Sequence, residues 1–156
     1  MFALAFSKNS MEIYHLEKDI NVFCVTATSF PEGVQAAHRE LHSLLPSTEG
    51  RNFFGISYPK GKGEILYRAA VEELYSGEGE KSGCELFTIK RGDYLSETLS
   101  DWTKNMSAIG ITFQKLITDP RIDQNGYCLE IYLPQNKMRC MVGMSSSFTA
   151  HHNQKK

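Results

Sequence analysis

The sequence offers chemistry most plainly at Glu130. It lies in Tyr127-Cys128-Leu129-Glu130-Ile131-Tyr132-Leu133, which alternates as a strand does. Leu129, Ile131 and Leu133 share one face; Cys128, Glu130 and Tyr132 share the other. If the second face lines a cleft, a partly desolvated carboxylate stands among aromatic rings and attracts cations. At about 4 Å and an effective dielectric near 20, such a pair gains roughly 4 kcal/mol before desolvation is counted. Each tyrosine or tryptophan face adds about 0.5–2 kcal/mol through cation–π contact. On residue type alone, a strand glutamate facing water is the commoner case.

Other candidates are weaker. Trp102 is the single tryptophan and opens an expected helix on one stripe with Met106 and Ile109. That position suits a core anchor, or a pocket wall with Met106 as an adaptable surface. Gly110 in mid-helix costs about 1 kcal/mol relative to alanine, so it leaves space either for a ligand or for a close helix approach. His38 and His42 stand four apart, a spacing that suits one metal ion. The segment His-Arg-Glu-Leu-His lacks the H-E-x-x-H order and a third ligand, so both are read as solvent-facing. No metal or cofactor is expected.

Nothing resembles a Ser-His-Asp arrangement, a nucleophile elbow, a P-loop or G-x-G-x-x-G. The run Gly77 to Gly83 reads as a linker, because no helix is expected to open after it. Cys24, Cys84, Cys128 and Cys140 form no C-x-x-C pair and read as small hydrophobes in strand-like runs.

Charge and composition narrow the classes. The chain has 156 residues, 17 basic against 18 acidic, and 41% are hydrophobic. That is too hydrophobic for disorder and too poor in surplus positive charge for nucleic-acid binding. The apolar start, Met1 to Phe6, is interrupted by Lys8 and Asn9 and is too short for a signal peptide or a membrane span. A soluble cytoplasmic protein is the expectation, with neither membrane nor direct nucleic-acid partner.

The elements that must position these residues repeat. A strand over 20–29 is followed by a helix carrying Val34, Ala37, Leu41, Leu44 and Leu45, stopped by Pro46. Ser29 and Glu32 have the form of a capping box. Strands over 52–58 and 64–75 flank the turn 59–63. The second half gives a strand over 94–100 and a helix bearing Trp102, Met106, Ile109, Phe113, Leu116 and Ile117. Strands over 127–133 and 138–144 close it.

A shift of 72 carries one half onto the other, taking 12–16 to 84–88, Leu41 to Phe113 and Tyr58 to Glu130. The expected fold is α+β: duplicated β-α-β-β modules forming one antiparallel sheet, two helices on one face and a central ligand cleft. Residues 1–10 form an extension, 11–145 one domain with halves 11–76 and 84–144, and 146–156 a polar tail.

The pattern resembles the gyrase-inhibitor-like (GyrI-like) family, the effector-binding domain of many multidrug-responsive bacterial transcription activators. The resemblance rests on Phe53-Phe54-Gly55-Ile56-Ser57-Tyr58, Ile65 to Glu72, Phe87-Thr88-Ile89, Gly92-Asp93-Tyr94 and Leu129 to Pro134. It implies the duplicated fold and a cleft for lipophilic, often cationic aromatic compounds. Glu130 matches the family's buried glutamate, and Tyr132 follows it; Tyr58, Tyr67 and Trp102 are looser matches. About ten residues precede the fold, too few for the helix-turn-helix that activators carry, so a stand-alone sensor or sequestering module is expected. The resemblance also admits a hydrolase of strained cyclopropane-bearing toxins, with Glu130 as general acid or base, and a protein-binding inhibitor of gyrase.

Overall fold

The computed structural model describes residues 11–146; the expected N-terminal extension and nearly all of the polar tail lie outside them. In chain order the elements are β1 (Glu12–Leu16), β2 (Ile20–Thr26), α1 (Val34–Ser43), β3 (Phe53–Gly61) and β4 (Glu64–Glu72). After the short helix α2 (Glu78–Ser82) come β5 (Glu85–Ile89), β6 (Gly92–Ser100), a 3-10 turn (Trp102–Lys104), α3 (Ser107–Ile117), β7 (Cys128–Leu133) and β8 (Lys137–Gly143).

All eight strands form one antiparallel sheet, ordered β1-β6-β8-β7-β3-β4-β2-β5. Exchanging each strand of one half for its counterpart in the other reproduces this order backwards, so the sheet carries the expected pseudo-two-fold. Each half lends its first strand to the other: β1 pairs with β6, and β5 pairs with β2.

The sheet must curl. β5 and β6 stand six places apart in the strand order but are joined only by Lys90 and Arg91. Six strand spacings laid flat span about 29 Å, whereas the three Cα steps from Ile89 to Gly92 reach about 11 Å. Curling buries the helix-free face against itself. Its core draws on every strand and on no helix, with Val22, Phe54, Ile56, Ile89, Leu129 and Met141 at its centre. On the other face α1 seats Ala37 and Leu41 against Phe23, Tyr67, Ala69 and Val71. There α3 seats Leu116 against Leu95, Met138, Cys140 and Val142.

The repeat is real, but its shift is not constant. Seventy-two holds for β2 and β6, taking Val22 and Phe23 to Tyr94 and Leu95 in equivalent core positions. The buried helix residues Ala37 and Leu41 correspond to Thr112 and Leu116, a shift of 75. The three extra residues fall in the stretch that holds the 3-10 turn. They also move the equivalence in the central strands: Gly55, not Tyr58, is the counterpart of Glu130, and the two are direct register partners. The pseudo-dyad therefore passes between Gly55 and Glu130.

Three local expectations are corrected. The second helix does not run from Trp102, because Asn105 leaves helical geometry at φ −148° and ψ 71°. Its side chain takes a hydrogen bond from Ser107 Oγ at 2.9 Å, the local bonding by which Asn and Ser interrupt helices. The capping box does not form: Gly33 is the N-cap of α1, and no side chain caps it. A tight turn over Phe30 to Gly33 replaces it, and a Cβ at Gly33 would crowd the Ser29 backbone. Within 77–83 a short helix does form, flanked by Gly77 and Gly83 at positive φ. Arg51 anchors it, donating to both Glu78 carboxylate oxygens at 2.9 and 2.5 Å.

Candidate functional site

A cleft of about 740 Å³ opens between the two long helices over the middle of the sheet. Its walls include Phe30 and Val34 on the α1 side and Ile109, Phe113 and Ile117 on α3. Ser57, Tyr67, Cys128 and Glu130 lie on its sheet side. Strand parity puts Glu130 there: its neighbours Leu129 and Ile131 belong to the helix-free core.

The carboxylate is held through one oxygen. Tyr132 Oη donates to Glu130 Oε1 at 2.6 Å, and Tyr67 Oη donates to the same oxygen at 2.9 Å. The two hydroxyls lie 3.2 Å apart, and His38 Nε2 stands 2.9 Å from Tyr67 Oη and 3.4 Å from Tyr132 Oη. Among the described residues, every hydrogen bond to this carboxylate falls on Oε1.

Gly55 makes this meeting possible. It is the register partner of both Glu130 on β7 and Ala69 on β4. A Cβ built on Gly55 would overlap Tyr67 Oη and Glu130 Oε1. The two side chains reach over the empty position and meet above it.

Burial pushes the Glu130 carboxyl above its usual range, and the hydroxyls of Tyr132 and Tyr67 pull it partly back. Burial and the nearby carboxylate raise both tyrosines well above the ordinary phenol range. Burial, aided by His42, lowers His38 to about 4, so its imidazole is neutral near pH 7. Cys128 is raised to about 11, first by burial and then by Glu130, and stays a thiol.

The expected site residues separate into groups. Glu130, Tyr67 and Met106 line the cleft, with Met106 half exposed as the N-cap of α3. Tyr132 holds Glu130 from beside the cleft. Trp102 stands behind Tyr132, with ring centroids 5.5 Å apart, and is not among the lining residues. Tyr58 also lines the cleft, but its hydroxyl accepts a hydrogen bond from Arg68 Nη1 at 2.6 Å. Arg68 pairs with Ile56 of the helix-free core, so the Tyr58 hydroxyl lies on the far side of the sheet from Glu130.

Two residues of the cluster escaped the sequence reading. His38, expected to face solvent, lies on the inward stripe of α1 with Val34 and Leu41. Its partner at the suspected metal spacing, His42, instead packs its ring against Phe53, tilted by 47° with ring centroids 4.4 Å apart. Gly55 was visible only as a glycine inside a strand, itself a sign of close approach. Gly110 lines the cleft, and a Cβ there would meet nothing within 4 Å, so no helix among the described residues packs against it.

Solved structures share this fold. An integron cassette protein from the mobile metagenome of Vibrio cholerae matches at a TM-score of 0.66 and 12% identity, covering 88% of this chain and 97% of its own. SAV2435, solved bound to tetraphenylphosphonium, matches at 0.61 and 12%, covering 91% and 98%. A hydrolase from Listeria innocua matches at 0.53 and 12%, covering 87% and 92%. Neither a protein-family model nor a curated protein matches the sequence. At these identities the likeness establishes the fold alone. No helix among the described residues is long and apolar enough to cross a membrane.

The lining has one further property. Among the described residues it contains three carboxylates, Glu32, Asp123 and Glu130, and no lysine, arginine or histidine. Most of the remainder is apolar or aromatic. Such a cleft accepts a bulky apolar body and favours a positive charge on it.

Proposed function

We propose that the protein binds lipophilic, cationic aromatic molecules in this cleft, as a sensor or sequestering module of the GyrI-like kind. The observation that carries this is the setting of Glu130: a buried carboxylate, held through Oε1, in a mostly apolar cleft to which the described residues bring no basic side chain. An incoming cation favours the ionised carboxylate that burial disfavours, so charge and site stabilise each other. Phe113, Phe30 and the α3 isoleucines supply apolar contact that tolerates varied shapes. SAV2435, of the same fold, was solved with tetraphenylphosphonium, a cation of this class. Calorimetric titration with tetraphenylphosphonium tests the reading. A dissociation constant near the micromolar range is expected, and absence of binding at millimolar concentration contradicts it.

The cluster also favours a second reading, hydrolysis. A carboxyl raised by burial and hydrogen-bonded by two phenols is suited to act as a general acid or base, and a neighbour of the same fold is a hydrolase. Incubation with strained cyclopropane-bearing compounds separates the two. A product formed by the native protein and not by Glu130→Gln supports turnover, whereas binding without product supports a sensor.

A further inference from the structure

The hydrogens of the Glu130 cluster can be counted. Each phenol has one, and both are spent on Glu130 Oε1. The 2.9 Å contact between His38 Nε2 and Tyr67 Oη therefore needs its hydrogen from the imidazole. With Glu130 ionised, this count calls for the His38 tautomer protonated at Nε2, with Tyr67 accepting from it and donating onward to the carboxylate.

Tyr67 has other uses for its hydrogen. Tyr132 Oη lies 3.2 Å away, and the opposite histidine tautomer would offer a lone pair at 2.9 Å. Either would draw the hydrogen off Glu130. Among the described residues no other charged group settles the matter. His38 faces His42 of its own helix, Tyr67 of β4 and Tyr132 of β7. Glu130 faces those two tyrosines, Cys128 of its own strand and Cys140 of β8.

We infer that His38 is a positioning residue for the cleft carboxylate. By donating from Nε2 to Tyr67 Oη it commits the Tyr67 hydrogen to Glu130 Oε1 and leaves Oε2 for a ligand. The consequence for ligand affinity rests on the cation-binding reading; the ordering of the hydrogens does not.

The test reads Glu130 directly, without ligand. The side-chain carboxyl carbon of Glu130 is titrated by carbon-13 NMR and assigned by its loss in Glu130→Gln. His38→Phe keeps a ring of similar size and removes the donor; His38→Gln keeps a donor. His38→Phe is expected to raise the Glu130 midpoint by about one pH unit, and His38→Gln to lie near wild type. Tetraphenylphosphonium affinity, measured below the midpoint, is expected to fall about tenfold in His38→Phe. A folded His38→Phe whose midpoint coincides with wild type overturns the inference. Should His38→Phe not fold, His38→Leu replaces it with the same expectation and the same contradicting result. If the midpoint moves but no form binds the cation, the ordering stands and the binding reading fails.

Discussion

Gly55 and Glu130 are register partners in adjoining central strands and equivalent positions of the two halves, so the pseudo-two-fold axis passes between them. One half places a carboxylate at this seam and the other places a residue with no side chain. The asymmetry is the site. The empty position lets Tyr67 cross from β4 to reach Glu130, which any larger residue at 55 would prevent.

Gly55→Ala therefore acts on the site before the fold. Its Cβ must displace the Tyr67 hydroxyl or the Glu130 carboxylate, and overpacking of this kind costs about 1–3 kcal/mol. We expect loss of stability in that range by denaturant unfolding, and at least tenfold weaker cation binding. Full binding with unchanged stability would mean the cluster is not built on this gap.

Glu130 costs stability at neutral pH. Burial raises its native pKa above the unfolded value, so its favourable contribution is present below the unfolded carboxylate range and is lost as pH rises through the native value. Glu130→Gln keeps an acceptor for both tyrosines and removes the charge. The expected outcome is a higher melting temperature at pH 7.5, with the gain shrinking toward pH 4.5. A lower melting temperature at pH 7.5 contradicts it.

His38 works with its own sign. Its native pKa is lowered to about 4 from 6.5, so between those values the unfolded chain binds a proton that the native state does not. Stability falls as pH drops through that window, by roughly 3 kcal/mol in all. Glu130 titrates with the opposite sign nearby, so the comparison is made in Glu130→Gln with and without His38→Gln. The form that keeps His38 should lose more stability between pH 6.5 and 4. Parallel curves would count against a buried neutral imidazole.

Gly110 separates the two explanations of a mid-helix glycine. Its side-chain position is open, so Gly110→Ala should stabilise α3 by up to about 1 kcal/mol and leave cation affinity near wild type. Gly110→Phe should weaken binding of bulky cations by narrowing the cleft. Equal affinity in that variant would show that ligands do not lie along this face of α3.

The strand pattern and the doubling were legible because period-2 alternation survives even where the halves share few residues. Glu130 was legible for the same reason, since parity set it opposite Leu129 and Ile131. What the pattern hid were insertions. Three extra residues near Trp102 move the equivalence from Tyr58 to Gly55, and a uniform shift of 72 has no means of seeing them. His38 was hidden by residue type, because a histidine on a helix suits solvent or core alike. Only the packing of α1 over Tyr67 and Tyr132 decides between them. Trp102 is similar: the break at Asn105 takes it off the α3 stripe and sets it behind Tyr132.

Of the three carboxylates that line the cleft, the buried Glu130 is the one expected to make it selective for cations. Tetraphenylphosphonium and tetraphenylborate have nearly the same size and shape and opposite charge, so calorimetric titration with both isolates charge from fit. The native protein is expected to bind the phosphonium at least about a hundredfold more tightly than the borate, a gap of about 2.7 kcal/mol. Most of this gap should disappear in Glu130→Gln. Equal affinity for the two ions, or a preference that survives Glu130→Gln unchanged, would contradict it.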